Sequence, residues 1–191
     1  MAATLSDIAN HLQDDLVQFQ EEVRVVNATI VRPSWQVSSH HFPVTLWGYV
    51  MAGFARLDLY SQLWDGNVTK KQTARMRAFL RRFLPRDPTA DAVAIQLWRH
   101  TLMHTSRPRR LRDRVTGREY SYLLHWGIPE LPAHQHYQIV DGNKLDFGLE
   151  HFLNDLQNLL SAYLFALRES PDLQAKATAT WQTIVTQEFG A

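Results

Sequence analysis

The sequence predicts a mainly α-helical bundle with a small antiparallel β insertion, as one domain over residues 1–191. Apolar residues recur at steps of three and four over most of the chain, the spacing of helices that bury one face. That spacing is interrupted between about residues 110 and 147, where β-prone runs flank glycine-containing turns. The apolar fraction of 45% argues against disorder, and 191 residues are enough to bury a sizeable core.

The helices follow from caps, prolines and apolar spacing. The first is expected from Thr4 to Val26, because Thr4 and Asp7 resemble a capping box. The second, Val44 to Leu63, is apolar nearly all round, which predicts that it is central and the most buried. The remaining helices are expected over Lys70–Leu84, from about Thr89 towards His104, over Leu149–Leu167 and over Asp172–Phe189.

The insertion is expected to hold two antiparallel hairpins. The first turns around Val115–Tyr120 and continues into the β-prone run Tyr120–Leu124. The second pairs Tyr137–Val140 with Lys144–Phe147 across Asp141-Gly142-Asn143, a composition that favours a tight hairpin turn.

Composition excludes several classes of protein. The absence of cysteine excludes disulfides, zinc–thiolate sites and thiol nucleophiles. The net charge of +1 gives no overall attraction to nucleic acid or membrane, although arginines cluster between residues 75 and 118. The longest apolar stretch, Val44 to Ala55, is too short to span a bilayer. The N-terminus lacks the layout of a signal peptide, so we expect a cytoplasmic protein with no membrane partner.

The segment Arg99–His104 carries the functional prediction. Arginine can hold a phosphate in a planar fork, and histidine can exchange protons near neutral pH, so together they indicate RNA phosphodiester chemistry. His100 and His104 share one face of an α-helix, whereas Arg99 and His104 are about 140° apart. This separation is awkward for a site within one chain and favours a site shared by two chains.

These residues resemble the signature of the HEPN superfamily, helical-bundle proteins in which an arginine and a polar residue precede a histidine after a short gap. Arg99 and His104 fit the outer positions, and His100 fits the polar one. The resemblance implies a homodimer that cleaves RNA without a metal or other cofactor, leaving a 2′,3′-cyclic phosphate. His104 would transfer protons, Arg99 would hold the scissile phosphate, and His100 would orient His104 or contact the phosphate. Family members include toxins and defence proteins, which implies an antitoxin or other operon partner.

The family also includes proteins without nuclease activity, so a non-catalytic module that binds RNA or a protein is the alternative. Arginines after the motif are expected to bind the RNA substrate or to form a solvated hairpin edge. Those assigned to substrate binding are Arg107, Arg109 and Arg110, and Arg112 and Arg114 extend the strip. Four aromatic residues near the motif could stack on bases: Trp98, Tyr120, Tyr122 and Trp126. Of these, Trp98 is expected to pack in the core instead.

Two other interpretations of the motif stay open. Its arginine and histidines could cap helix carbonyls and pair with Asp91 or Glu119. Alternatively, His100 and His104 could bind a metal ion, because a His-x3-His pair shares a helix face. The third ligand would then come from one of four remote histidines, His40, His41, His134 or His136.

Overall fold

A computed structural model describes residues 4–31, 44–67, 71–101, 110–126 and 136–186. The chain is mainly helical with a small sheet, which confirms the predicted class. The helices are α1 Leu5–Val26, α2 Val44–Asp65, α3 Gln72–Phe83, α4 Pro88–Ala94, α5 Leu149–Glu169 and α6 Pro171–Val185. Two π-helical segments extend them, Asn27–Val31 after α1 and Ile95–Thr101 after α4. In the part of the chain described, no helix is both long and apolar enough to cross a membrane.

The helix starts are built from capping side chains. The Thr4 backbone N–H donates to the Asp7 carboxylate at 2.8 Å, and the Asp7 N–H donates to Thr4 Oγ1 at 3.2 Å, which confirms the predicted capping box. Asp87 accepts from the Thr89 N–H at 2.8 Å and places Pro88 in the first turn of α4. Proline suits this position because its missing N–H has no helical partner there.

Helix α2 lies at the centre of the bundle, as predicted. It packs against α3, α5, α6 and the π-helical segment after α4. Its hydrophobic residues with no solvent exposure are Val50, Phe54, Leu57, Tyr60 and Leu63. Phe54 stacks on Phe152 of α5 with ring centroids 4.8 Å apart. Burial of such side chains stabilises the fold by about 1.5–3 kcal/mol each, so the contact between α2 and α5 contributes to the stability of the core.

The insertion forms one four-stranded sheet. Its strands are β1 Leu111–Arg112, β2 Glu119–His125, β3 Gln138–Val140 and β4 Lys144–Gly148, in the order β1-β2-β4-β3. Both predicted hairpins are present as antiparallel pairs, β1 with β2 and β3 with β4. The prediction of a purely antiparallel insertion is wrong, because β2 and β4 pair in parallel. This pairing places β4 inside the sheet, where Leu145 and Phe147 are fully buried.

Trp98 joins the sheet to the bundle. Its ring centroid lies 5.0 Å from that of Tyr122 and 5.4 Å from that of Phe147, and the side chain has no exposure. The expectation that Trp98 belongs to the core is confirmed. The next residue along the chain is Arg99, so this packing fixes the backbone position from which the candidate motif begins.

Candidate functional site

The structure describes only part of the predicted motif. Arg99 and His100 lie near the end of the π-helical segment Ile95–Thr101, where the structure describes their backbone alone. Three predicted site residues lie outside the described residues: His104, Arg107 and Arg109. The convergence of Arg99 and His104 therefore stays a prediction.

The motif begins in a π-helical segment and not in the α-helix that the sequence predicts. The expected separation of about 140° between Arg99 and His104 assumed 3.6 residues per turn. A π-helix forms i→i+5 hydrogen bonds, so residues five apart come closer to alignment than in an α-helix. Arg99 lies in such a segment. The described segment ends at Thr101 and His104 lies outside it, so the angle between Arg99 and His104 stays a prediction.

Arg110 is placed at the start of the β1–β2 hairpin. Its side chain is 80% exposed, and its guanidinium lies 4.0 Å from the Glu119 carboxylate. An ion pair this long and this exposed contributes little to stability. Two carboxylates were the alternative partners of the motif, and both lie beside other arginines. Glu119 lies beside Arg110. Asp91 Oδ1 lies 3.4 Å from Arg86 Nε.

A groove of about 700 Å³ separates α3 and α4 from the β1–β2 hairpin. Thr89 and Ala92 of α4 line it, and so does Gln96 of the π-helical segment that follows. The backbone of Arg99 follows Gln96 by three residues. Gln96 therefore links the groove to the segment that carries the start of the candidate motif.

Three arginines line this groove. Arg77 comes from α3, and Arg112 and Arg114 come from the hairpin. Asp113 lies among them, but its carboxylate accepts from the Val115 N–H at 2.8 Å and from the Thr116 hydroxyl at 2.8 Å. These hydrogen bonds lower the pKa of Asp113, and they direct its charge into the turn. The groove is consequently basic.

A second polar cluster is buried between the start of α4, α5 and the sheet. Arg86 Nη1 donates to Asp155 at 2.6 Å, and the guanidinium lies 3.6 Å above the Tyr137 ring. Burial raises the pKa of Asp91 to about 6, since the nearby charge of Arg86 compensates only partly. Burial also disfavours ionisation of Asp155, yet hydrogen bonds from His136 and the charge of Arg86 lower its pKa overall. The two carboxylates beside Arg86 thus differ in the direction of their pKa shifts, which is upward for Asp91 and downward for Asp155.

His136 uses both ring nitrogens within this cluster. Nδ1 accepts from the Gly148 N–H at 2.9 Å, so the ring proton must be on Nε2, which lies 3.0 Å from the Asp155 carboxylate. Burial lowers the pKa of His136, in agreement with a neutral ring. The proposal of His136 as a metal ligand is therefore not supported by its hydrogen bonds. Among the described residues, no group of three or more potential ligands could hold a metal ion. The other remote histidines, His40, His41 and His134, lie outside those residues.

Sequence reasoning missed two features that tertiary structure creates. The first is the Arg86 cluster, whose members Arg86 and Asp155 are 69 positions apart. The second is a buried pair in which His125 Nε2 lies 2.7 Å from the Asp146 carboxylate, across the parallel pairing of β2 and β4. No spacing in the sequence links these residues, because their contacts depend on strand order.

We found no match to this chain among models of protein families, curated proteins or solved structures.

Proposed function

We propose that the protein is a HEPN-like, metal-independent endoribonuclease that acts on RNA through Arg99 and His104 at a site shared by two protomers. His100 assists as the polar residue of the motif. A role in a toxin–antitoxin or defence system accompanies this proposal, with an antitoxin or operon partner that controls the activity.

The observation that carries the proposal is the position of the motif relative to the basic groove. The helix that bears Arg99 also forms one wall of the groove, and Arg77, Arg112 and Arg114 line the same space. Arginines attract the RNA backbone because they neutralise phosphate charges and release counterions. An RNA chain held in the groove would contact the segment in which Arg99 lies, three residues before Arg99.

The proposed reaction is an internal transesterification. His104 removes the proton from a ribose 2′-hydroxyl, whose oxygen forms a bond to the adjacent phosphorus as the P–O5′ bond breaks. The symmetry-related His104 donates a proton to the leaving 5′-oxygen. Arg99 holds the phosphate and offsets the charge that grows on its oxygens. The products are a 2′,3′-cyclic phosphate and a 5′-hydroxyl, with no redox change.

The test is cleavage of an unstructured RNA by the purified protein in EDTA. We expect wild-type protein to cleave, and His104→Ala and Arg99→Ala to abolish cleavage while thermal unfolding stays unchanged. His11→Asn is the matched control, since His11 is an exposed histidine on α1, packed edge-on against Trp181. Equal cleavage by wild-type and His104→Ala would contradict the proposal. Light scattering should give the mass of a dimer.

The alternative is a non-catalytic module that binds RNA or a protein partner. It is favoured by the same basic groove, which needs no catalytic motif to bind phosphates. No cleavage together with salt-sensitive RNA binding, weakened by substitutions of Arg107, Arg109 and Arg110, would support it. Cleavage that depends on added metal would instead support metal binding by His100 and His104.

A further inference from the structure

We infer that the groove between α3, α4 and the β1–β2 hairpin is a nucleotide-binding subsite. A phosphate is held by Arg77, Arg112 and Arg114, and the base lies against the apolar floor of the groove. The inference deepens the proposed function and rests on it for the role of the RNA strand. A nucleoside phosphate is the chemical class of ligand, supplied by an RNA strand or as a free nucleotide.

None of the three arginines has a described carboxylate within 4 Å, although the charge of Arg77 acts on Asp91 from a greater distance. A neighbouring arginine on α3 differs, because Arg75, two residues before Arg77, is buried and lies 2.8 Å from Asp58. The chain therefore pairs the arginine of α3 that points into the core and leaves Arg77 facing the groove. Arg77 lines the groove from α3 and is half-buried, whereas Arg112 and Arg114 line it from the hairpin and are exposed. A phosphate in the groove can therefore bind arginines from both of its walls. Guanidinium groups bind phosphate oxygens in a bidentate manner that lysine does not reproduce.

The apolar part of the groove lining, here called the floor, comes from α4 and from the β1–β2 hairpin. Leu111 of β1 pairs with Tyr120 of β2, and both line the groove. Pro88, Ala92 and Val93 line it from α4. The volume of about 700 Å³ lies within the range of about 300–1,000 Å³ that small-molecule sites occupy. An apolar surface beside a cluster of arginines fits a nucleotide whose base is unpaired, because a paired base would keep its faces inside the duplex.

The hairpin holds its arginines in a preformed turn. The Asp113 N–H donates to the Arg118 carbonyl at 2.8 Å, and the Gly117 N–H donates to the Asp113 carbonyl at 2.8 Å. Gly117 has φ of +72°, a conformation that other residues rarely adopt. Together with the Asp113 side-chain hydrogen bonds, these contacts fix the backbone on both sides of Arg114. A rigid turn reduces the entropy lost when the arginines bind a ligand.

The test measures binding of an end-labelled, unstructured RNA oligonucleotide by fluorescence anisotropy in EDTA. The variants are Arg77→Gln and the double substitution Arg112→Gln/Arg114→Gln. The double substitution Arg24→Gln/Arg168→Gln is the matched control, since these exposed arginines do not line the groove and carry the same charge. Ala92→Phe fills the floor, and its thermal unfolding is measured beside the wild type. Competition with nucleoside monophosphates and with inorganic phosphate separates the two sources of the ligand.

We expect several-fold weaker RNA binding for each groove variant and little change for the control. Each lost phosphate contact should reduce the slope of log K against log salt by about 0.7. Competition by free nucleotides, but not by inorganic phosphate, assigns the groove to nucleotides in general, and competition by RNA alone assigns it to a strand. A folded Ala92→Phe variant that binds RNA normally would overturn the base subsite.

Equal binding by the groove variants and the control would overturn the inference as a whole. If cleavage in EDTA still depends on His104 in that case, the proposed function stands without this subsite. Groove-dependent binding without cleavage gives the opposite result, in which the subsite stands and the nuclease proposal fails.

Discussion

Replacing Asp91 by asparagine is expected to stabilise the protein at neutral and alkaline pH. The Asp91 side chain is 5% exposed, and its Oδ1 lies 3.4 Å from Arg86 Nε without a hydrogen bond to it. Burial raises the pKa from an ordinary 3.8 to about 6. One pKa unit corresponds to about 1.4 kcal/mol, so the folded state disfavours the ionised form by about 3 kcal/mol. An asparagine has no charge to desolvate and avoids this cost.

The pH dependence has a defined sign. Because the folded-state pKa of Asp91 lies above that of the unfolded chain, its stabilising contribution is full below about pH 4 and is lost as the pH rises through about 6. Wild-type and Asp91→Asn should therefore unfold at similar urea concentrations near pH 4. They should differ by up to about 3 kcal/mol near pH 8, with the variant more stable. Equilibrium urea unfolding followed by tryptophan fluorescence measures both.

Asp155→Asn is the matched control, because Asp155 contacts the same guanidinium. Its pKa is lowered, so it stabilises the fold above about pH 4, and this contribution is lost as the pH falls through the folded-state pKa. Its loss at pH 8 leaves Arg86 without its shortest ion pair and should cost about 3 kcal/mol. If Asp91→Asn destabilises the protein at pH 8 as Asp155→Asn does, the reasoning about burial is refuted.

Two further predictions concern packing and capping. Gly53→Ala should destabilise the protein by about 1–3 kcal/mol in thermal unfolding, because its Cβ would lie 2.6 Å from Phe152 Cε1. Gly48→Ala in the same helix has no neighbour within 4 Å and should be neutral or stabilising, so equal losses would contradict the packing account. Thr4→Ala should cost about 1 kcal/mol through loss of the cap. Thr4→Ser keeps the hydroxyl and should lose less stability than Thr4→Ala. A larger loss for Thr4→Ser would argue against the capping box.

Local patterns in the sequence predicted most elements. The capping pair at Thr4 and the apolar spacing place α1 within one residue of its observed start. The turn of the second hairpin also follows from composition, since Asp141 and Gly142 adopt φ of +50° and +76°, which their residue types tolerate. These signals are local, so one sequence is enough to detect them.

The remaining features depend on contacts between distant segments. The parallel pairing of β2 and β4 depends on burial of Leu145 and Phe147 by the bundle, and each hairpin alone carries no signal for it. The spacing of apolar residues likewise does not indicate the π-helical segment after α4. For the candidate site, Arg99 and Arg110 were predicted from a short motif and its arginine-rich flank. The contribution of Arg77 to the groove required the packing of α3 beside the hairpin.

The chemistry of the RNA ends tests the proposed nuclease most directly. Purified protein is incubated with an unstructured RNA in EDTA, and the products are identified by mass. We expect a 2′,3′-cyclic phosphate and a 5′-hydroxyl from wild-type protein and intact RNA from His104→Ala. Intact RNA from the wild-type protein, or 3′-hydroxyl ends that form only with added metal, would contradict a reaction carried out by Arg99 and His104.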